Sequence, residues 1–133
     1  MIELLVVILI IGILAMIAIP AFLGQKSKAD DATAKSQART AQTAMETVGT
    51  DNSGDYSSGT VSQLQSIEPT LKDTGTSTLS EPTAPGPTSY SVVSTANNTG
   101  DSFTITRSGQ TISRTCSAGS GLGAPGGCVN GTW

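Results

Sequence analysis

A chain of 133 residues with a formal net charge of −3, two cysteines and no histidine has room for one small domain beside an extended segment. Two thiols without a histidine make a poor tetrahedral zinc set, and seven basic residues spread along the sequence provide no stripe for a nucleic-acid backbone, so no direct nucleic-acid site is expected. A greasy amino-terminal stretch precedes a body rich in Ser, Thr and Gly, which no single globular class describes.

Met1 to Leu23 is an almost unbroken apolar run whose only charge is Glu3. As a helix it extends about 34 Å, enough to span a hydrocarbon core of about 30 Å, and it is read as a membrane segment. A carboxylate within such a segment costs about 2.5–3.5 kcal/mol on insertion scales. Glu3 therefore either reaches the interface and solvates its carboxylate there, or awaits the positive amino terminus of a neighbouring copy. Within the run, Pro20 lacks an amide proton and clashes with the preceding turn, and Gly12 weakens the helix by about 1 kcal/mol relative to Ala. In an isolated chain these two residues predict a bent helix.

The helix is expected to continue to about Thr50, because Gln25 to Val48 contains neither Pro nor Gly and is rich in Ala, Lys, Gln and Glu. Ala34, Ala38, Ala41, Met45 and Val48 follow steps of four and three, a narrow and mostly Ala stripe that requires a closely approaching partner. Asp31 and Lys35 are spaced for an i, i+4 pair, and Lys28, Asp30 and Arg39 read as a solvated face. Asp51 to Thr60 marks a turn out of the helix. Val61 to Leu71 predicts a short helix limited by Pro69, and Thr74 to Pro87 a linker-like loop. Three strands follow at Ser89–Thr95, Ser102–Thr106 and Thr111–Cys116, joined as an antiparallel meander by turns at Asn97–Gly100 and Ser108-Gly109.

From about Thr50 onward large apolar residues make up about a fifth of the chain, close to the level at which composition suggests disorder. The core needs support from the helix, from neighbouring subunits and from a staple. Cys116 and Cys128 supply the staple as a disulfide, which is worth about 3 kcal/mol in the chain-entropy picture. A metal site lacks ligands, and a redox pair lacks the Cys-x-x-Cys spacing. The disulfide places this part in an oxidising, extracytoplasmic compartment.

Catalytic signals are sparse: there is no His, no Gly-rich phosphate loop and no Ser in a nucleophile elbow, so no enzyme and no cofactor are expected. Asp51-x-Ser53-x-Asp55 begins like a calcium loop, yet Tyr56 replaces the turn Gly and Ser62 stands where the closing Glu belongs. No metal site is assigned. Asn97-Asn98-Thr99 and Asn130-Gly131-Thr132 match the N-glycosylation triplet, which arises easily by chance in a chain this rich in Ser and Thr.

The order Ile2-Glu3-Leu4-Leu5-Val6-Val7-Ile8, then Ile10-Ile11-Gly12-Ile13-Leu14-Ala15, then Ala18-Ile19-Pro20-Ala21-Phe22-Leu23 closely resembles the amino-terminal segment of type IV pilins. The resemblance continues loosely to about Val48 and is architectural beyond residue 50. It implies an α+β fold, with a long amino-terminal helical stalk (residues 1–50, of which 1–23 form the membrane or filament-core part) packed on a small disulfide-stapled domain with an antiparallel sheet (residues 51–133). It implies a major structural subunit held in the inner membrane and then polymerised into an extracellular pilus, with prepilin peptidase and the pilus assembly machinery as partners. Glu3 would dock subunits, and the stalk between Gly12 and Pro20 would be partly non-helical in the filament. A type II secretion pseudopilin and a membrane-tethered binding domain that never polymerises are the alternatives.

One departure concerns the start. The family places four residues ahead of this glutamate, usually beginning with an N-methylated Phe, where this sequence has Met1 and Ile2. The expectation is that a basic leader ending in Gly and two further mature residues lie upstream. Such a leader would also resolve the topology, because Lys26 and Lys28 directly after the apolar run would otherwise place the disulfide-bearing side in the cytoplasm.

Overall fold

The computed structural model describes residues 1–120 and 126–133 of the chain. A single helix, α1 (Ile2–Asp51), is followed by α2 (Val61–Ile67), a 3-10 turn (Pro69–Lys72) and four strands, β1 (Ser77–Leu79), β2 (Ser89–Ala96), β3 (Ser102–Ser108) and β4 (Thr111–Ser117). The strands form one antiparallel sheet in the order β1-β2-β3-β4. The α+β architecture expected from the sequence is the one observed, with the carboxyl-terminal half of α1 laid across the sheet.

At 1.5 Å per residue, the 50 residues of α1 extend about 75 Å. Its first half stands clear of the rest of the molecule, and its second half is buried along the stripe read from the sequence. Ala34, Ala38, Ala41, Met45 and Val48 are fully buried, as is Ala44 beside them. Small side chains bring the helix axis close to β2, whose Tyr90, Val92, Ser94 and Ala96 alternate inward against it. Phe103 and Ile105 of β3 lie on the same face. The residues between these are nearly all Ser or Thr and face outward: Ser91 stands opposite Thr106, which stands opposite Ser113. β2, β3 and β4 each extend by one or two residues past their predicted ends. Gly100 (φ +73°) and Gly109 (φ +61°) provide the left-handed backbone in the two turns joining them.

Four expectations need correction. The stretch from Thr74 to Pro87 is not wholly a loop, since Ser77–Leu79 pairs with Ala96–Ser94 as an edge strand. The predicted Val61–Leu71 helix is two pieces: α2, capped by the Thr60 hydroxyl accepting from the Gln63 amide, ends at Ile67, and Pro69 opens the separate 3-10 turn. Asp31 and Lys35 do not pair with one another, because each finds a partner in the carboxyl-terminal segment. Asp30 is buried rather than solvated.

Cys116 and Cys128 are joined in a disulfide with their Cα atoms 6.0 Å apart. This bond and the Cys116 amide donating to the Gly131 carbonyl fold residues 126–133 back along the outer strand. Trp133 then packs edge-on against Phe103, with ring centroids 5.7 Å apart and planes at 81°.

Candidate assembly surface

The stalk exposes every large apolar residue from Ile2 to Leu23, and no part of it is covered by the chain itself. It is the one helix in the described residues long and apolar enough to cross a membrane. Glu3 is the only carboxylate side chain between Met1 and Leu23. In the isolated chain Glu3 Oε2 lies 3.4 Å from the Met1 amine, and both groups are fully exposed. Solvent screening leaves such a pair almost without effect on stability.

Gly12 and Pro20 both lie inside α1, which continues through them. The bond that Pro20 cannot donate is one loss in an otherwise continuous ladder. A side chain at Gly12 would meet nothing within 4 Å, and the same holds for Gly24. Neither glycine is needed for space inside the subunit.

Polar contacts fix the angle between stalk and head at three levels along α1. Near the stalk, Asp31 Oδ1 accepts from the Thr99 hydroxyl (2.9 Å) and Oδ2 from the Gly126 amide (2.6 Å), while Lys35 Nζ donates to the Gly126 carbonyl. Asp30 Oδ2 accepts from the Asn98 amide at 2.8 Å. The β2–β3 turn and the disulfide-held segment are thus both latched to the helix. One turn and a half further on, Gln37 Oε1 accepts from the buried Ser94 hydroxyl (2.6 Å), and its Nε2 donates to the Asp73 carbonyl (3.2 Å).

The third level is centred on Glu46. Its Oε1 accepts from the Tyr90 hydroxyl (2.6 Å) and its Oε2 from the Tyr56 hydroxyl (2.9 Å), with Arg107 Nη1 donating to both oxygens at 2.8 and 2.9 Å. Gly49 makes room for this arrangement, because a Cβ there would collide with the Tyr56 ring. Burial alone would raise the Glu46 carboxyl; the hydrogen bonds from Tyr90, Tyr56 and Arg107, together with the guanidinium charge, outweigh it and hold the group below the ordinary carboxylate value. Burial and then the Glu46 carboxylate push the phenols of Tyr56 and Tyr90 upward.

The signs give a pH window. A carboxyl lowered by folding contributes stability above its unfolded value, about 4.3, and loses it as pH falls through the folded value. Phenols raised by folding contribute below about 10 and lose that contribution as pH rises beyond it. The clamp is expected to be intact between those limits. Glu46→Ala should lower head stability by about 2 kcal/mol at pH 7, tempered by partial exposure of the pair, and the difference from wild type should shrink toward pH 3. Denaturant titration of the detergent-solubilised chain at both pH values measures it; an equal loss at pH 3 and pH 7 contradicts the charge-based account.

Comparison with family models, curated proteins and solved structures returned no match. Among the described residues no group of three or more His, Cys, Asp or Glu side chains is placed to hold a metal ion. In the partial calcium loop the Asp55 carboxylate accepts from the Ser57 amide. Of the residues singled out from sequence, Cys116 and Cys128 are joined, whereas Glu3, Gly12 and Pro20 lie on the bare stalk. Sequence reasoning missed Asp31, Gln37 and Glu46 as helix-to-head anchors. For Glu46 a signal existed: Arg107 follows Phe103 and Ile105 on the inward face of β3, where a cation needs a facing carboxylate.

Proposed function

We propose that this chain is the major structural subunit of a type IV pilus-like filament, polymerising through its amino-terminal stalk after residence in the inner membrane. The observation that carries the reading is the bare stalk: a helix apolar on all sides, carrying one carboxylate, on a head whose own core is closed. A long apolar helix joined to a small antiparallel sheet is compatible with pilin-like architecture. Lipid and a filament core of identical stalks are about equally apolar, so hydrophobic burial changes little when a subunit moves from one to the other. Register must come from shape and from the pairing of Glu3 with the amine of a neighbouring copy. The extracellular location of the filament belongs to the same proposal, and the disulfide supports it.

In the filament the stalk between Gly12 and Pro20 is partly unwound. The lack of any steric need for a glycine at position 12 within the subunit supports a role expressed between subunits. A density map with unbroken helical hydrogen bonding from Ile11 through Ala21 in the assembled fibre would refute it.

Electron microscopy of material sheared from cells producing the chain tests the reading. Long fibres composed of this polypeptide support a pilus, short periplasmic fibres a pseudopilin, and detergent-soluble monomers alone a membrane-tethered domain.

A further inference from the structure

The head distributes its charge unevenly. Arg39 of α1 and Arg114 of β4 both face the Trp133 indole, with guanidinium carbons 5.3 and 5.8 Å from the ring centroid. The ring is held in place by its Nε1–H donating to the Thr115 carbonyl (2.8 Å) and by the Phe103 edge. None of the acidic side chains among the described residues pairs with either arginine, and residues 121–125 contain no acid. Two guanidiniums gathered on one aromatic ring repel one another. The cation–π contacts offset part of that repulsion while leaving planar donor edges free for a carboxylate.

The opposite edge of the sheet carries the reverse sign. Asp73 lies on the β1 side, where Gln37 ties the Asp73 and Ser77 carbonyls to α1; Glu68 stands at the other end of the same four-residue 3-10 turn, and Glu81, which follows β1, accepts from the Val61 amide. Lys72 is the one cation among them. Asp73 is exposed and borders an open groove whose other lining residues include Thr33, Ser36, Thr40 and Thr70. β1 and β4 are the two outer strands, about 14 Å apart at ordinary strand spacing.

We infer that the Arg39–Trp133–Arg114 cluster receives the Glu68–Asp73 edge of a second copy of this chain. The inference rests on the filament reading and adds to it a contact made by the heads. Because the complementary surfaces are on opposite edges, the contact is heterologous: every docked copy presents a fresh edge, and the series stays open rather than closing as a two-fold dimer. Rim charges of this kind fix register and reject wrong neighbours.

The test uses the full chain in cells that assemble it. One variant carries Arg39→Glu with Arg114→Glu, a second carries Glu68→Lys with Asp73→Lys, and a third combines all four. Sheared fibre is quantified by electron microscopy and immunoblot, with membrane-inserted, disulfide-bonded subunit as the folding control. Each two-site reversal alone should lower fibre yield at least about tenfold, since like charges then meet at every contact. The four-site variant, and coexpression of the two reversals in one cell, should restore it. Wild-type yield from either reversal alone, or failure of the four-site variant to recover, overturns the head contact. Absence of fibres from the unaltered chain overturns the filament reading itself, so the two failures are distinguishable.

Discussion

Replacing Glu3 with Ala is expected to abolish surface fibres while leaving the subunit in the membrane. The substitution removes the only charged side chain between Met1 and Leu23 and makes the segment more apolar, so insertion is retained or improved. On the proposed reading, assembly loses the charge pairing that places one stalk against the next. In the isolated subunit this carboxylate meets only the chain's own amine in full solvent, a contact with no structural consequence for the head. The proposed gain arises when a stalk enters the apolar fibre core, where an unpaired amine or carboxylate is costly and pairing removes both costs together. Membrane fractionation and electron microscopy of the same culture read the two arms. Wild-type fibres from the Ala variant would rule out docking by Glu3, and loss of membrane-inserted subunit would show that the residue serves insertion instead.

Removing the disulfide should have the largest effect on the head itself. Cys116 and Cys128 close a loop with a sequence separation of 12, a constraint worth about 3 kcal/mol through the unfolded chain. The consequence extends beyond loop entropy, because the same bond positions Gly126 beneath Asp31 and Lys35 and Trp133 against Phe103. Cys116→Ser with Cys128→Ser is expected to lower the denaturant midpoint of the detergent-solubilised chain by the equivalent of about 3 kcal/mol. Reduction of the wild-type chain should reproduce it. An unchanged midpoint would mean that α1 and the sheet hold the head without the staple.

Much of the fold could be read from the sequence because its cues were local and periodic. The Ala34–Val48 stripe marks a helix face that must meet a close partner, and the alternation in β2 and β3 assigns their inward residues without reference to the helix. What escaped depends on distant residues. β1 is three residues of Ser-Thr-Leu in a Pro- and Thr-rich stretch, and only the open edge of β2 makes it a strand. Asp30 and Asp31 read as helix-surface charges until the turn at Asn98-Thr99 and the Gly126 amide are placed against them. Glu46 draws its partners from 10, 44 and 61 residues away. The stalk is the opposite case: its composition is plain in the sequence, but on the proposed reading its partners are other molecules, so the geometry of one chain leaves Glu3 and Gly12 without a task.

If Glu3 selects where the next copy docks, as proposed, a density map of the assembled fibre at side-chain resolution will show it. The Glu3 carboxylate is expected at hydrogen-bonding distance, about 2.7–2.9 Å, from the terminal amine of a neighbouring stalk, inside an otherwise apolar core. A fibre in which that carboxylate faces water, or meets only apolar side chains, would contradict it.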